Sequence, residues 1–370
     1  MKPTVPPPST TPTPPAAPPP AGPLPGAPAS AGSPDSPGAA ALSGSPASSG
    51  SAPPASAGLA ALPPLGAVGL WVPGVDLRPP AASAEAAVEI EELGYGALWL
   101  SEGLVRDPFM EVATLLGATR SLVVGTGIAV IWGRHPRTVR AQARALLDAH
   151  PGRFVLGLGT SHARLVEGVL GLRYERPLTA LREHLDRLDE VDPVLALAGL
   201  DDGFAAEAPR APRLLAALGP RAVELARDRS AGAFSYLVTP EHTARARAVL
   251  GPGPALVVEQ AVVVGLPADV ARDRARQHVA GYLPAAPYRA SWRRLGFTEA
   301  DFADGGSDRL VDALVAIGED VAAERVGAHL AAGADHVCLQ ALPASTPELP
   351  LDQWRVLAPL TRRTEARPGG

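Results

Sequence analysis

Residues 153–168 read RFVLGLGTSHARLVEG: an apolar strand over 154–158 runs without alternation into Gly-Leu-Gly-Thr-Ser-His and then into a helical pattern. Working outward, ALWLSEG at 97–103 has the same design, a short apolar run that ends in polar residues. Between them, SLVVGTGIAVIWGRHP at 121–136 is a third apolar run, interrupted by Gly125-Thr126-Gly127. Continuous apolarity marks strands covered on both faces, as in a parallel sheet. Polar groups gathered where parallel strands end are what a (β/α)8 barrel uses to build a site, because its βα-loops open on one face.

The pattern continues along the chain. Strand-like runs fall at 67–72, 97–101, 122–131, 154–158, 213–218, 232–238, 255–264 and 335–342, which makes eight. Helical stretches separate them: 84–93 with Ser83 as a cap, then 109–119, 137–149 and 241–250, opened by Pro108, Pro136 and Pro240. Proline suits the first helical turn, where its missing N–H costs nothing. The predicted fold is therefore α/β, a (β/α)8 TIM barrel with inserted helices. The insertions are 172–212, with a charged helix at 178–190 and an acidic loop at 201–212, and 281–318, which reads as having no strand of its own. Tyr282, Tyr288, Trp292 and Phe297 in the second insertion either pack an added helix or form a lid over the barrel mouth.

Composition sets the limits. Residues 1–63 are almost entirely Pro, Ala, Ser, Gly and Thr, too poor in apolar surface to offset the entropy of ordering, so a disordered tail is expected there. The barrel domain is expected over 66–363. Hydrophobic residues make up 46% of the chain and aromatics 4%, which predicts a core of Val, Leu, Ile and Ala. A net charge of −5 without a basic stripe argues against nucleic acid as a partner, and no apolar run is long enough for a membrane span. The lone Cys338 excludes an internal disulfide framework; with no apolar leader run, a cytoplasmic protein is expected. The eight histidines are scattered without metal-ligand spacing, so no metal is expected.

Candidate site residues follow from the strand ends. Gly159, Thr160 and Ser161 combine close backbone approach with hydroxyls at a helix start, which suits an anionic cofactor tail. His135 and His162 are placed for acid/base work. Glu102 is a carboxylate at a strand end, either paired with Arg106 or facing the mouth. Gly219 and Pro220 close the fifth strand and Tyr236 the sixth. The pair Glu259-Gln260, inside an apolar run, must be satisfied internally or face the mouth.

Taken together, EELGYGALWLSE, LVVGTGIAVIWGRHP, HPGRFVLGLGTSHARLVE, LLAALGPRAVELA and AGADHVCLQAL resemble the luciferase-like monooxygenase superfamily. More narrowly, they resemble its actinobacterial oxidoreductases that depend on the deazaflavin coenzyme F420. The resemblance covers about 66–342. It implies a deazaflavin, alternatively FMN, with its ring at the C-terminal mouth, and a non-proline cis peptide at Gly127–Ile128 or its neighbour. It also implies that Thr126, Gly127 and Ile128 lie at the ring, that Gly159, Thr160, Ser161, Gly219 and Pro220 hold the phosphate-bearing tail, and that Glu102 is near the ring.

Two departures qualify it. Sugar-phosphate dehydrogenases of this type carry an Asp-His pair after the second strand, where this chain has Ser101-Glu102-Gly103, and a carboxylate where it has His162. A sugar phosphate is therefore not the expected substrate. The expected activity is hydride transfer between F420 and a small organic molecule. An FMN monooxygenase using oxygen and a flavin-binding barrel without catalysis are the alternatives. A homodimer is the partner that the resemblance implies.

Overall fold

The computed structural model describes residues 62–103, 105–190, 210–345 and 348–365. The predicted tail falls outside these residues except for Leu62 and Pro63, as does 201–209 of the acidic loop.

Eight parallel strands close a barrel. They are β1 (Val68–Val72), β2 (Ala97–Leu100), β3 (Val123–Thr126), β5 (Phe154–Gly159), β6 (Arg213–Ala216), β7 (Gly232–Ser235), β8 (Ala255–Val263) and β10 (His336–Ala341). Each pairs with the next, and β10 completes the ring by pairing with both β8 and β1. The predicted α/β barrel is the observed one. Helices follow the strands and open on Pro80, Pro108, Pro136, Pro177, Pro220 and Pro240. Asp107, His135 and Thr239 cap three of them by accepting a backbone N–H.

The differences from the sequence reading have local causes. The third strand is not continuous. The Gly127–Ile128 peptide is cis, and the chain resumes as a two-residue strand β4 (Ala129–Val130) that pairs only with β5. Ser83 is no cap: the helix Pro80–Glu92 starts earlier, and the Ser83 hydroxyl donates to the Val75 carbonyl inside its first turn. The second insertion does hold a strand, β9 (Val315–Ile317), which pairs with the upper half of β8. β7 ends at Ser235, and Leu237 beyond it adopts φ 53°, so β9 takes the edge of β8 that β7 has left.

Side chains alternate between the barrel interior and the helix layer, as the two-residue strand period requires. Inside lie Trp71, Trp99, Val155, Leu214, Phe234, Val257 and Cys338. Trp99 is fully buried, and Gly125 faces it: a Cβ there would come within 2.5 Å of the indole. At the floor, Trp99 Nε1 donates to His336 Nε2 at 3.1 Å, which leaves His336 Nδ1 to donate to the Gly66 carbonyl at 2.8 Å. Among the described residues no helix is long and apolar enough to cross a membrane.

Candidate functional site

The carboxyl ends of the strands meet at one mouth, and three apolar groups make its floor. Trp71 of β1 donates through Nε1 to the Gly127 carbonyl at 2.7 Å, and its ring lies 4.9 Å from that of Tyr236 beyond β7. Ile128 and Tyr236, both half-buried, pack on the interior cluster from above. The glycines of β5 exist for this arrangement. A Cβ on Gly157 would lie 1.9 Å from the Thr126 carbonyl oxygen, and one on Gly159 would lie 2.9 Å from the tip of Ile128. The Gly-Leu-Gly signature read as a phosphate cradle is thus first a seat for the chain that leans in between β3 and β4.

Thr126 does not face the mouth. It is fully buried and its hydroxyl bridges to β5, donating to the Gly157 carbonyl at 2.7 Å and accepting from the Gly157 amide at 2.9 Å. Glu102 is equally committed. One carboxylate oxygen accepts from the Val130 amide and the other lies 2.8 Å from Arg134, which also pairs with Asp107 at 2.6 Å. Arg106, the partner expected from sequence, pairs with Glu111 instead. Burial pushes the Glu102 carboxyl above its ordinary value, opposed by the Val130 amide and Arg134. Its place is to hold β4 in position.

The rim of β5 runs from Thr160 to His162. Ser161 takes φ 54°, turning the chain into the short helix Ala163–Val166. Tyr174 closes over this turn, donating to the Ser161 carbonyl at 3.0 Å, while Trp132 Nε1 donates to the Thr160 carbonyl at 2.8 Å. His162 caps the helix by accepting the Leu165 amide through Nδ1, and burial lowers its pKa. Across the barrel, Gly219 precedes the ten-residue helix Pro220–Arg229, and a Cβ there would meet only Arg294, 4.0 Å away.

His135 caps the helix Pro136–Ala149. It is exposed, and it lines a side cavity of about 500 Å³ together with Trp132, Leu172, His184 and Arg187.

Two further tyrosines pack on Tyr236. Tyr282 donates to the Tyr236 hydroxyl at 2.8 Å, and Tyr236 donates to Gln340 Oε1 at 2.7 Å. The Tyr288 ring packs on Tyr282 at 4.9 Å. Tyr282 and Tyr288 come from the helices Ala268–Tyr282 and Ala286–Arg294. The insertion packs: Trp292 is fully buried, and the Tyr282 and Tyr288 rings lie against that of Tyr236 at 5.3 and 6.2 Å. Burial pushes the Tyr282 hydroxyl up to about 12, and Tyr236 and Tyr288 well above their ordinary value, so all three are neutral. Trp71, Tyr282, Tyr288 and Gln340 were missed as site residues; the aromatic spacing at 282–292 was the available signal.

The family model described as luciferase-like monooxygenase matches residues 64–347. A putative coenzyme F420-dependent oxidoreductase of Mycobacterium tuberculosis is 30% identical over 114 residues, 31% of this chain and 33% of that protein. The alkanal monooxygenase alpha chain of Photorhabdus luminescens is 36% identical over 74 residues, 18% of this chain and 20% of its own. The matched stretch thus spans about a third or less of these relatives. Among solved structures, an F420-dependent secondary alcohol dehydrogenase with an F420-acetone adduct superposes with TM-score 0.61 at 16% identity, over 80% of this chain and 99% of that one. The oxygenating constituent of 3,6-diketocamphane monooxygenase from Pseudomonas putida, in complex with FMN, gives 0.57 at 16% identity over 80% and 97%. At such identities the likeness is one of fold.

Proposed function

The chain belongs to the luciferase-like monooxygenase family, and from that premise we propose that it is an oxidoreductase that transfers a hydride between coenzyme F420 and an organic substrate. The observation that carries the proposal is the floor made by Trp71, Ile128 and Tyr236. It is apolar, it lies where the strands end, and it is framed by glycines at 127 and 159.

These residues fit a flat tricyclic ring with an anionic tail. The ring would rest on Ile128 and the Gly127–Ile128 backbone, with Trp71 and Tyr236 at its border. Thr160, Ser161 and Gly219 would hold the tail. Gly219 starts a helix, and Arg294 stands beside it, which favours a phosphate there. Bound in this way, the deazaflavin supplies the carbon that gives or takes the hydride, while the protein supplies placement and exclusion of water. Thr126 and Glu102 hold the floor rigid from behind.

The FMN-bound monooxygenase neighbour favours a second reading, FMN with molecular oxygen. Titrating the purified chain with each cofactor separates the two. Deazaflavin is expected to bind at least tenfold more tightly than FMN, and its absorbance to change when substrate is added. Oxygen consumption with reduced FMN, and none of this with deazaflavin, overturns the proposal.

A further inference from the structure

The side cavity of about 500 Å³ lies between the segment 131–136, which leads from β4 into the helix Pro136–Ala149, and one face of the helix Pro177–Asp189. Ala180, Glu183, His184 and Arg187 stand on that face at the spacing of helical neighbours. Arg140 fastens the two helices, donating to the carbonyls of Arg187 at 2.6 Å and Leu188 at 2.8 Å. Apolar walls come from Ile131, Trp132, Pro136, Leu172 and Ala180. The volume falls within the range of small-molecule pockets, about 300–1,000 Å³.

Two of its walls hold a buried nitrogen that nothing meets. His184 is 7% exposed, its Nε2 is sealed from solvent, and it hydrogen-bonds to none of the described residues. His329 and His336, as deeply buried, have both ring nitrogens engaged. Arg134 gives its terminal nitrogens to Glu102 and Asp107, yet its Nε is buried without a partner. Unmet buried groups cost stability, so two of them on one cavity ask for a function. The wall favours negative charge. Arg134 Nε can only donate, and His135 accepts the Arg137 amide through Nδ1 at 3.2 Å, which leaves its Nε2 to donate. Burial lowers the His184 pKa to about 4, and the charges that add to this are all positive: His135, Arg187 and Arg213. Arg213 is already paired with Asp189, whereas Arg187 has no ion pair among the described residues. The carboxylates nearby, exposed Glu183 and the two behind Arg134, are not among the groups that act on His184.

We propose that this cavity is a second ligand site, which takes the carboxylate of a small organic acid with an apolar or aromatic body. His184 Nε2 is the anchor for the carboxylate, Arg134 Nε a further donor, and Arg187 the unpaired positive charge; bonds of this kind to an ionised acceptor are the strong ones. The body lies along Trp132, Leu172 and Ala180. So few donors beside so much apolar wall suit a single negative charge on an apolar frame. The site is distinct from the bed proposed for the ring but adjoins it: Trp132 donates to the Thr160 carbonyl at 2.8 Å, and Arg134 holds Glu102. It stands equally with a deazaflavin or with FMN at the mouth.

The test titrates the full chain by calorimetry, with no cofactor added, against 3-phenylpropionate and octanoate and against the corresponding amides. Each acid is expected to bind about tenfold to a hundredfold more tightly than its amide, the range for a hydrogen bond to a charged group. Equal affinity for acid and amide, or no binding of either acid, overturns the proposal. His184→Leu is expected to weaken both acids about tenfold while its urea midpoint equals or exceeds that of the parent, because an apolar group in place of an unmet buried one costs little. Should His184→Leu not fold, Ala180→Phe fills the cavity from a half-buried position and is expected to abolish acid binding. Acid affinity unchanged in the variant that folds puts the acid elsewhere on the protein and overturns the proposal. Since the titration contains no cofactor, that result leaves the F420 reading untouched.

Discussion

The hydroxyl of Thr126 and the backbone of Gly157 exchange two hydrogen bonds, at 2.7 and 2.9 Å, across the place where β3 stops pairing with β5 as a regular strand. The Thr126 carbonyl fills the space that a side chain at 157 would need. Thr126→Val keeps the shape and removes both bonds, leaving a buried amide and a buried carbonyl without partners. Each such group costs about 1–3 kcal/mol. Urea unfolding should therefore show a loss of about 2–4 kcal/mol for Thr126→Val and near-parental stability for Thr126→Ser. Equal stability of the Val variant would show that the bridge is dispensable.

That bridge also shows what the sequence made legible. The eight strands, the helices opened by proline and the location of the mouth follow from local pattern, since apolar runs and Pro positions report backbone geometry directly. The partners of Thr126 and Glu102 do not. Thr126 reaches a glycine 31 positions on and Glu102 reaches Val130, 28 positions on, and no local rule carries information over that separation. Tyr282 and Tyr288 escaped the site list for the same reason: their helices fold back onto Tyr236, a tertiary choice that spacing alone leaves open. The short β9 was hidden because Val315–Ile317 continues the apolar rhythm of the helix before it.

Gly159 offers a second measurement. An added methyl would press within 2.9 Å of both Ile128 and the Ala216 Cβ. Overpacking of this kind costs about 1–3 kcal/mol and displaces the more mobile neighbour, here the half-buried Ile128. Gly159→Ala should fold, with unfolding free energy lowered by that amount, and should weaken deazaflavin affinity at least tenfold in a fluorescence titration. Affinity equal to the parent would mean that Ile128 is no part of the ring's bed.

Stability should fall steeply in mild acid. Burial lowers the pKa of His184, His242 and His336 to about 4 and of His278 and His329 to about 3. Each is neutral in the folded state, and each takes a proton on unfolding once the pH drops below the ordinary 6.5. A group with a depressed folded pKa contributes stability above its unfolded value and loses it as pH falls toward the folded one. The loss is about 1.4 kcal/mol per pH unit for each histidine. Urea midpoints measured from pH 7.5 down to 5 should decline with the uptake of several protons. His329→Gln, at the site bonded to Thr243 and Gln260, should make the decline shallower by about one proton. A flat profile across this window would mean that the histidines are charged in the fold.

Arg134 joins Glu102 and Asp107 with little exposure, 14% for its own side chain and 18% for that of Glu102. Removing it leaves two carboxylates facing each other near the mouth, one of them bonded to the Val130 amide. Breaking a pair at this depth costs about 2 kcal/mol, between the values for surface and fully buried bridges. The consequence should extend beyond stability, because Val130 and Ala129 are the strand that carries Ile128 to the mouth. Arg134→Met is therefore expected to lower deazaflavin affinity about tenfold as well as the urea midpoint. Arg134→Lys retains a charge but cannot fork between two carboxylates, so it should recover part of the stability and less of the affinity. Since acid also removes the repulsion by protonating Glu102, whose carboxyl burial already raises, the affinity deficit of Arg134→Met should shrink as pH is lowered from 7 to 5.5. A deficit that is constant over this range would place the cause in lost packing against Phe109, over whose ring the Arg134 guanidinium lies at 5.5 Å, and not in charge.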